Sequence, residues 1–367
     1  MFNVSEAWNE ANQRFLAPEG FVEISCYIPE TNETLVYTKK DLLSFKHEQS
    51  GDILSASLPK NYIEFSLDNS DGKWNPNSPR GLERYLSERL KITVRYGYDL
   101  DGITEWIPGG VFYLSEWSTS SGGLEARFVA RDILEYMIEK PFTGAITGTL
   151  YELAMNAIAE ASLPDDTTEF VSEELSKYPV SAIAYDGKSS IAEILQKCAN
   201  AAGCVLYQDR AGVLRIEKLE YNDTGYTVPL HFAYTYPQIN LLKPMKEVSV
   251  SWGESNKAVY SCQDNGETQT LENNFVAEEA QALGLGEWIA DCIRGRRTIM
   301  GEFRGDPRLD LFDVVKVENK YGTVAGVVIT DIVYRFGGAF HASFSGQVRG
   351  VGSNVIYCGE VFTGEVS

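Results

Sequence analysis

The sequence is poor in the residues that carry most enzyme chemistry. Its 367 residues include three histidines, His47, His231 and His341. His47 and His231 fall in strand-like patterns and His341 in an alternating strand, and none is placed by sequence beside a serine or cysteine nucleophile. No GxSxG, HExxH, P-loop or dinucleotide fingerprint occurs. Gly284-Leu285-Gly286 lacks the third glycine and the preceding strand, which makes it a helix kink rather than a phosphate cradle. The six cysteines, Cys26, Cys198, Cys204, Cys262, Cys292 and Cys358, form no CxxC pair. That argues against a disulfide or zinc framework and for reduced thiols. No run of about 18 apolar residues exists, so no membrane insertion by this chain is expected. The start, MFNVSEAWNEANQRF, has no basic segment leading into an apolar core, so no secretory signal is expected either. Basic residues are scarce as well: 32 Lys and Arg stand against 52 Asp and Glu, a net charge of -20. Such a chain does not grip nucleic-acid phosphates, since that affinity comes from basic side chains displacing counterions. The acidity serves solubility, or forms a wall that repels passing DNA and keeps it from sticking.

What the chain has in abundance is period-2 patterning. Phe21 to Ile28 alternates as a strand, Asn32 turns, and Leu35 to Thr38 pairs back. Leu42 to Glu48 and Tyr62 to Leu67 are extended, as are Lys91 to Tyr98, Gly110 to Trp117 and Leu124 to Ala130. Near the C-terminus, Asp306-Pro307 makes a turn, and Leu309, Leu311, Val315 and Val317 occupy alternate positions with Asp313 as a kink or bulge. Gly326 to Arg335 and Phe340 to Phe344 follow, so this stretch reads as a three-stranded meander. An internal repeat emerges. KITVRYG, GVFYLSEW, a Gly-Gly turn and LEARFVAR have the order of VVKVENKYG, GVVITDIV, Gly-Gly and AFHASFSG, and the spacing from Gly110 to Gly122 nearly matches that from Gly326 to Gly337.

Helical signals cluster between the two copies. A short N-terminal helix or arm holds Trp8, Phe15 and Leu16, and Ser78-Pro79 opens another helix with Leu82, Tyr85, Leu86 and Leu90 as its stripe. Asp132 to Lys140 is expected to be helical until Pro141 stops it. Thr149 to Ser162 places Leu150, Leu153, Ala157 and Ile158 on one face. Ser190 and Glu193 form a capping box ahead of a helix ending at Gly203, and Cys204 to Leu219 makes a hairpin about Asp209 to Gly212. Lys246 to Trp252 is a strand, Tyr260 to Cys262 and Gln269 to Leu271 are expected to pair, and Ala277 to Arg297 is a helix kinked at Gly284 and Gly286. The chain therefore divides into a first β-barrel domain with its arm (1–141), an inserted α+β domain (142–221) and a second β-barrel domain with its tail (222–367).

Several stretches mimic sites. Asp68-Asn69-Ser70-Asp71-Gly72 resembles a calcium loop, yet Ser70 sits where an acid is needed and no bidentate Glu follows, so an Asx-type turn is expected. Arg304-Gly305-Asp306 spells an adhesion tripeptide in a turn before a strand, and is read as coincidence. Arg294, Arg296 and Arg297 mark a helix end or subunit contact rather than a phosphate site. The reading names no catalytic, cofactor-binding or metal residue.

Three stretches together carry a resemblance. FSLDNSDGKWNPNSP with its following strands (Phe65 to Arg131), SIAEILQKCANAAGCVLYQDRAGVLRI (Ser190 to Ile216) and GDPRLDLFDVVKV (Gly305 to Val317) resemble, in order and spacing, the hub proteins at the tip of phage tails and tail-like particles. These include the N-terminal hub region of tail-associated proteins. The resemblance implies a mainly β fold with an α+β insertion: two tail-tube-like β-barrels per chain and an inserted helix–hairpin domain outside them, the hub architecture. It implies a homotrimer forming a pseudo-sixfold ring. Such a ring joins a sixfold tail tube or distal-tail ring to a threefold spike, fibre or plug, and lets DNA or a tape-measure protein pass through an acidic lumen. The expected place is the virion tail, assembled in the host bacterial cytoplasm, with a structural and not an enzymatic role. A cell-wall hydrolase and a receptor-binding tail protein stand as the alternatives.

Overall fold

The computed structural model describes residues 1–349 except 15, 76–77, 79–80, 83–85, 87–88, 120–122, 181–187 and 222. Helix α1 (Glu6–Gln13) is capped by Ser5, whose hydroxyl accepts from the Trp8 amide, and buries Trp8 against Tyr98. Seven strands follow: β1 (Gly20–Ile28), β2 (Glu33–Tyr37), β3 (Leu42–Ser50), β4 (Lys60–Asp68), β5 (Lys91–Leu100), β6 (Ile103–Thr119) and β7 (Glu125–Arg131). Their alternating residues point into one core, built largely from Ile24, Phe45, Ile63, Phe65, Ile92, Val94, Tyr96, Phe112 and Phe128. The sheet curls into a barrel: Phe45 on β3 meets Tyr96 on β5, ring centroids 6.0 Å apart, although β4, β7 and β6 lie between them in sheet order. Most of the helix expected after Ser78 lies outside the described residues. The one expected over Asp132 to Lys140 is a single 3-10 turn, Ile133–Tyr136, started by Asp132 accepting from the Leu134 amide.

The helical layer comprises α2 (Leu150–Ala161), β8 (Thr168–Val171), α3 (Ile191–Ala201), β9 (Val205–Gln208) and β10 (Val213–Glu217). Both helices start with a complete capping box, Thr149 with Glu152 and Ser190 with Glu193. Each cap stabilises its helix by about 1 kcal/mol. The chain then runs through β11 (Asp223–Val228), β12 (Gln238–Leu241), β13 (Met245–Trp252), β14 (Asn256–Ser261), β15 (Glu267–Glu272) and α4 (Glu279–Ile293). Here one expectation fails. Strands β14 and β15 do not pair with each other; both flank β13, one antiparallel and one parallel, since β13 has the apolar alternation of a central strand. Helix α4 runs through Gly284 and Gly286 as a single element. Gly286 is there for closeness, because a Cβ would lie 2.6 Å from Tyr260 Cβ on β14. Segment 245–293, placed by sequence with the second barrel, shares one continuous core with α2 and α3, in which Val248, Phe275, Leu285 and Ile289 meet Leu195 and Cys198.

The last strands are β16 (Arg297–Arg304), β17 (Val314–Asn319), β18 (Gly322–Phe336) and β19 (Phe340–Val348). The meander is present, but its first strand starts only at Val314. Residues 305–313 form a buried loop in which Asp306 accepts from the Arg308 amide, and Phe312 adopts φ +66°. Val228 on β11 and Ile299 and Phe303 on β16 share a core with β17 to β19, so this half curls as well. Pairing of β18 with β3 joins both halves into one 13-stranded sheet. No helix among the described residues is long and apolar enough to cross a membrane.

Candidate assembly faces

The residues singled out for chemistry are dispersed. His47 is fully buried, its Nδ1 2.7 Å from Tyr96 Oη and its Nε2 2.9 Å from Asn61 Oδ1. Burial, helped by the nearby Arg210 charge, pushes its pKa down to about 4. His231 sits in a 3-10 turn, Leu230–Phe232, rather than a strand, and His341 on β19 stacks on Tyr234. In the adhesion-like tripeptide, Arg304 donates to the carbonyls of Asn12 and Arg14, while Asp306 is 1% exposed and ion-paired with Arg308 at 2.5 Å. An aspartate so placed is inaccessible to a receptor. Arg294 pairs with Asp291, Arg296 donates to the Leu242 carbonyl, and Arg297 already belongs to β16. The Asp68 to Gly72 loop is an Asx turn, with the Ser70 amide 2.9 Å from Asp68 Oδ1. Among the described residues no cluster of three His, Cys, Asp or Glu side chains is arranged to hold a metal ion. The described cysteines are free, and only Cys262 is exposed.

A buried joint between the two barrels was not visible in the sequence. In the β9–β10 turn, Asp209 accepts from the amides of Ala211 and Val213 and from Arg215 Nε at 2.6 Å. Gly212, at φ +89°, packs where a Cβ would lie 2.9 Å from Val111 on β6. The turn thus drives Arg210 between the barrels, where its side chain is 0% exposed. Its guanidinium donates to the Pro307 carbonyl at 2.6 Å and to that of Leu309, and its Nε lies 3.2 Å from Asp310 as an ion pair. It also lies 5.5 Å from the Tyr96 ring of the first barrel and 5.6 Å from the Tyr334 ring of the second. The carbonyls it serves belong to the loop before β17, which explains why that loop is buried and polar.

The two halves share one strand order, differing in the direction of one strand: β1 runs antiparallel to β5, whereas β11 runs parallel to β17. In the first, neighbouring strands run β3-β4-β7-β6-β5-β1; in the second, β12-β16-β19-β18-β17-β11. Each middle strand is long and carries a bulge at the same place. Leu114 pairs with Ala130 and Glu116 with Val129, leaving out Ser115; Ile329 pairs with Gly346 and Asp331 with Ser345, leaving out Thr330. The bulges fix the equivalences Glu116 with Asp331, Val129 with Ser345, Ile63 with Ile299 and His47 with Ile239. The repeat written from sequence pairs Gly110 with Gly326 and is one residue out across the bulge, which would turn every following side chain to the wrong face.

Equivalent faces of the halves are both concave. A groove of about 790 Å³ covers β3, β4, β7 and β6, and one of about 710 Å³ covers β12, β16, β19 and β18. Equivalent residues line them: Glu64 and Met300, Glu116 and Asp331, Phe128 and Phe344. The first groove is charged, and of its cations Lys46, Arg127 and Arg335 the first two are ion-paired. Lys46 lies 2.7 Å from Glu48 and 4.0 Å from Glu64, and Arg127 lies 3.0 Å from Glu125. Burial would lower the Lys46 pKa, but hydrogen bonds to Glu48 and Tyr62 and the nearby carboxylates raise it. In the second groove Glu302 and Asp331 are the charged lining residues among those described, and Asp331 accepts from Ser50 and Ser345 at 2.6 Å each.

Comparison with known proteins gives fold but not sequence kinship. No protein-family model matches the chain, and no curated protein matches it. Among solved structures it is similar to the 43 kDa tail protein of prophage MuSo2 from Shewanella oneidensis, with TM-score 0.59 and 16% identity over 90% of this chain and 98% of that one. The tail protein from Neisseria meningitidis MC58 gives TM-score 0.60 at 11% identity, over 90% and 96% of the two chains. Prophage tail protein gp18 from Listeria monocytogenes EGD-e gives 0.57 at 10%, over 90% and 95%. With two halves of one strand order, a helical layer packed against them and near-complete overlap with these structures, the chain has the fold of phage tail proteins.

Proposed function

We propose that this chain is a structural hub of a phage tail tip or baseplate, acting by assembly and not by catalysis. The observation that carries the reading is the repeated strand order, which lets one chain present two equivalent concave faces. Three copies then offer six such faces to a sixfold tail tube or distal-tail ring, while the ring keeps threefold symmetry for a spike, fibre or plug. The grooves face the channel. Lys46 and Arg127 of the first groove are ion-paired in place, which leaves Arg335 as its remaining cation, and the charges of the second are acidic, so DNA or a tape-measure segment meets few cations on the wall. The barrels are 1–141 and the parts of 222–367 outside 245–293, and the insertion 142–221, joined by 245–293, forms the outer lobe. Assembly takes place in the host bacterial cytoplasm.

The test is native mass spectrometry and electron microscopy of the full chain, alone and with its tail partners. A ring of three times the 40.8 kDa chain is expected. A protein that stays monomeric with every tail partner contradicts the reading.

A further inference from the structure

Within one chain the halves are joined at a defined place. Beyond its bulge, β18 leaves β17 and pairs antiparallel with β3, Asp331 opposite Ser50, Ile332 opposite Gln49, Val333 opposite Glu48 and Tyr334 opposite His47. The equivalent stretch of β6 behaves differently. Its ladder to β5 begins at Tyr113, so from Glu116 to Thr119 it is bonded to β7 on one side and no described strand lies on the other. The equivalent of β3, namely β12, is likewise bonded on one side only, and all four of its residues are exposed, with Leu241 at 70%. One chain therefore holds one completed junction and both halves of a second. An open apolar edge of this kind invites strand pairing.

We propose that Glu116–Thr119 of one copy pairs antiparallel with β12 of the next, placing Glu116 opposite Leu242, Trp117 opposite Leu241, Ser118 opposite Asn240 and Thr119 opposite Ile239. The register is not chosen freely; it transfers the β18–β3 register through the equivalences that the two bulges fix. It also sorts side chains by face. Half-buried Trp117, at the margin of the first core, meets exposed Leu241, and Ser118 meets Asn240 on the groove side. A slip of one residue would set Trp117 against Asn240 and turn Leu241 to the channel. Because the two edges are different surfaces, the contact is head to tail, which generates rings. The inference rests on the ring reading above and adds to it which strands meet and in what register.

Cross-linking tests it in the full chain carrying Cys262→Ser and Cys358→Ser. Opposite residues of an antiparallel pair lie ~4.5–5.5 Å apart at Cα, within disulfide range. Ser118→Cys with Asn240→Cys is expected to give an oxidised ladder ending at a closed trimer, whereas Thr119→Cys with Asn240→Cys, on opposite faces, gives at least ~10-fold less. Hydrogen exchange of the unmodified chain is the second readout. On assembly, the amides of Ile239 and Leu241, which face away from β16, and alternate amides at 116–119 are expected to slow by ~10- to 100-fold. Trimers without this cross-link, or with new protection at Glu33–Tyr37 in place of 116–119, overturn the pairing and leave the ring standing. Absence of any oligomer overturns both.

Discussion

The first barrel is filled with aromatic rings, the second with branched aliphatics. Phe65 stacks on Phe128 with centroids 5.0 Å apart, and Phe45, Tyr96 and Phe112 surround His47. The second relies on Val315, Val317, Val327, Ile329 and Ile332, and where Phe65 would be it has Gly301. The same strand order and the same bulge therefore survive the exchange of many core residues, while Ile63 and Ile299, Phe128 and Phe344, and Ala126 and Ala342 are kept. What is repeated is the ladder and its parity, which backbone hydrogen bonds and a bulge specify, while volume is redistributed among neighbours. The halves differ most at their edges: the middle strand of the second is completed by β3, and beyond Tyr113 that of the first has no partner on this side among the described strands.

The joint between them should show the largest effect of any single change. Arg210→Met takes the guanidinium donor from the Pro307 carbonyl, one of two donors from the Leu309 carbonyl and the ion pair from Asp310, and is expected to cost about 3–5 kcal/mol in chemical denaturation. Arg210→Lys keeps the charge but loses the fork, and should recover only part of this. A loss below about 1 kcal/mol for Arg210→Met would mean that the barrels hold together without their wedge.

The pH dependence of stability separates the halves next, since His47 occupies the position of Ile239. A folded pKa of about 4 against 6.5 means that the neutral ring stabilises the fold above pH 6.5. That contribution is lost as pH falls from 6.5 to 4, by roughly 3 kcal/mol in all. Asp132 acts in the opposite sense: burial raises its pKa from 3.8 to about 7, so its contribution is lost as pH rises through that window. The His47 share is therefore read as the difference between wild type and His47→Gln, which should open as pH rises from 4 to 6.5. A parallel pair of profiles would show that His47 does not titrate in this range.

Smaller effects concern the faces. Leu241→Asp should leave monomer stability within about 0.5 kcal/mol while abolishing assembly, as expected of a position exposed only before pairing. Unchanged assembly by sedimentation would remove β12 from the interface. Lys46→Ala on the first groove should cost about 0.5–1 kcal/mol, because its ion pairs are partly solvated. Its removal frees Glu48 and Glu64, so DNA retention by the assembled ring should not rise in a filter-binding assay.

Much of the fold was legible because strands with one buried face alternate, and because capping boxes such as Ser190 with Glu193 mark a helix start by local chemistry alone. The failures have a common cause in long-range partners. Asp306 and Arg308 look like surface charge in sequence, yet they pair inside a loop that Arg210 enters from residues far away in the chain. Nothing near Arg210 distinguishes it from an exposed hairpin arginine. A parallel neighbour for β13 and the omission of Ser115 and Thr330 from their ladders likewise depend on strands that local periodicity does not see. The faces proposed for assembly are edges, and an edge is defined by what fails to pair.

Electron cryomicroscopy of the assembled ring tests the central claim most directly. Two alternating kinds of groove, six in all about one channel, with each β18–β3 junction inside a chain matched by a like junction between chains, is the predicted map. A ring in which the two groove types face different surfaces, or in which the first and second barrels do not alternate, would contradict it.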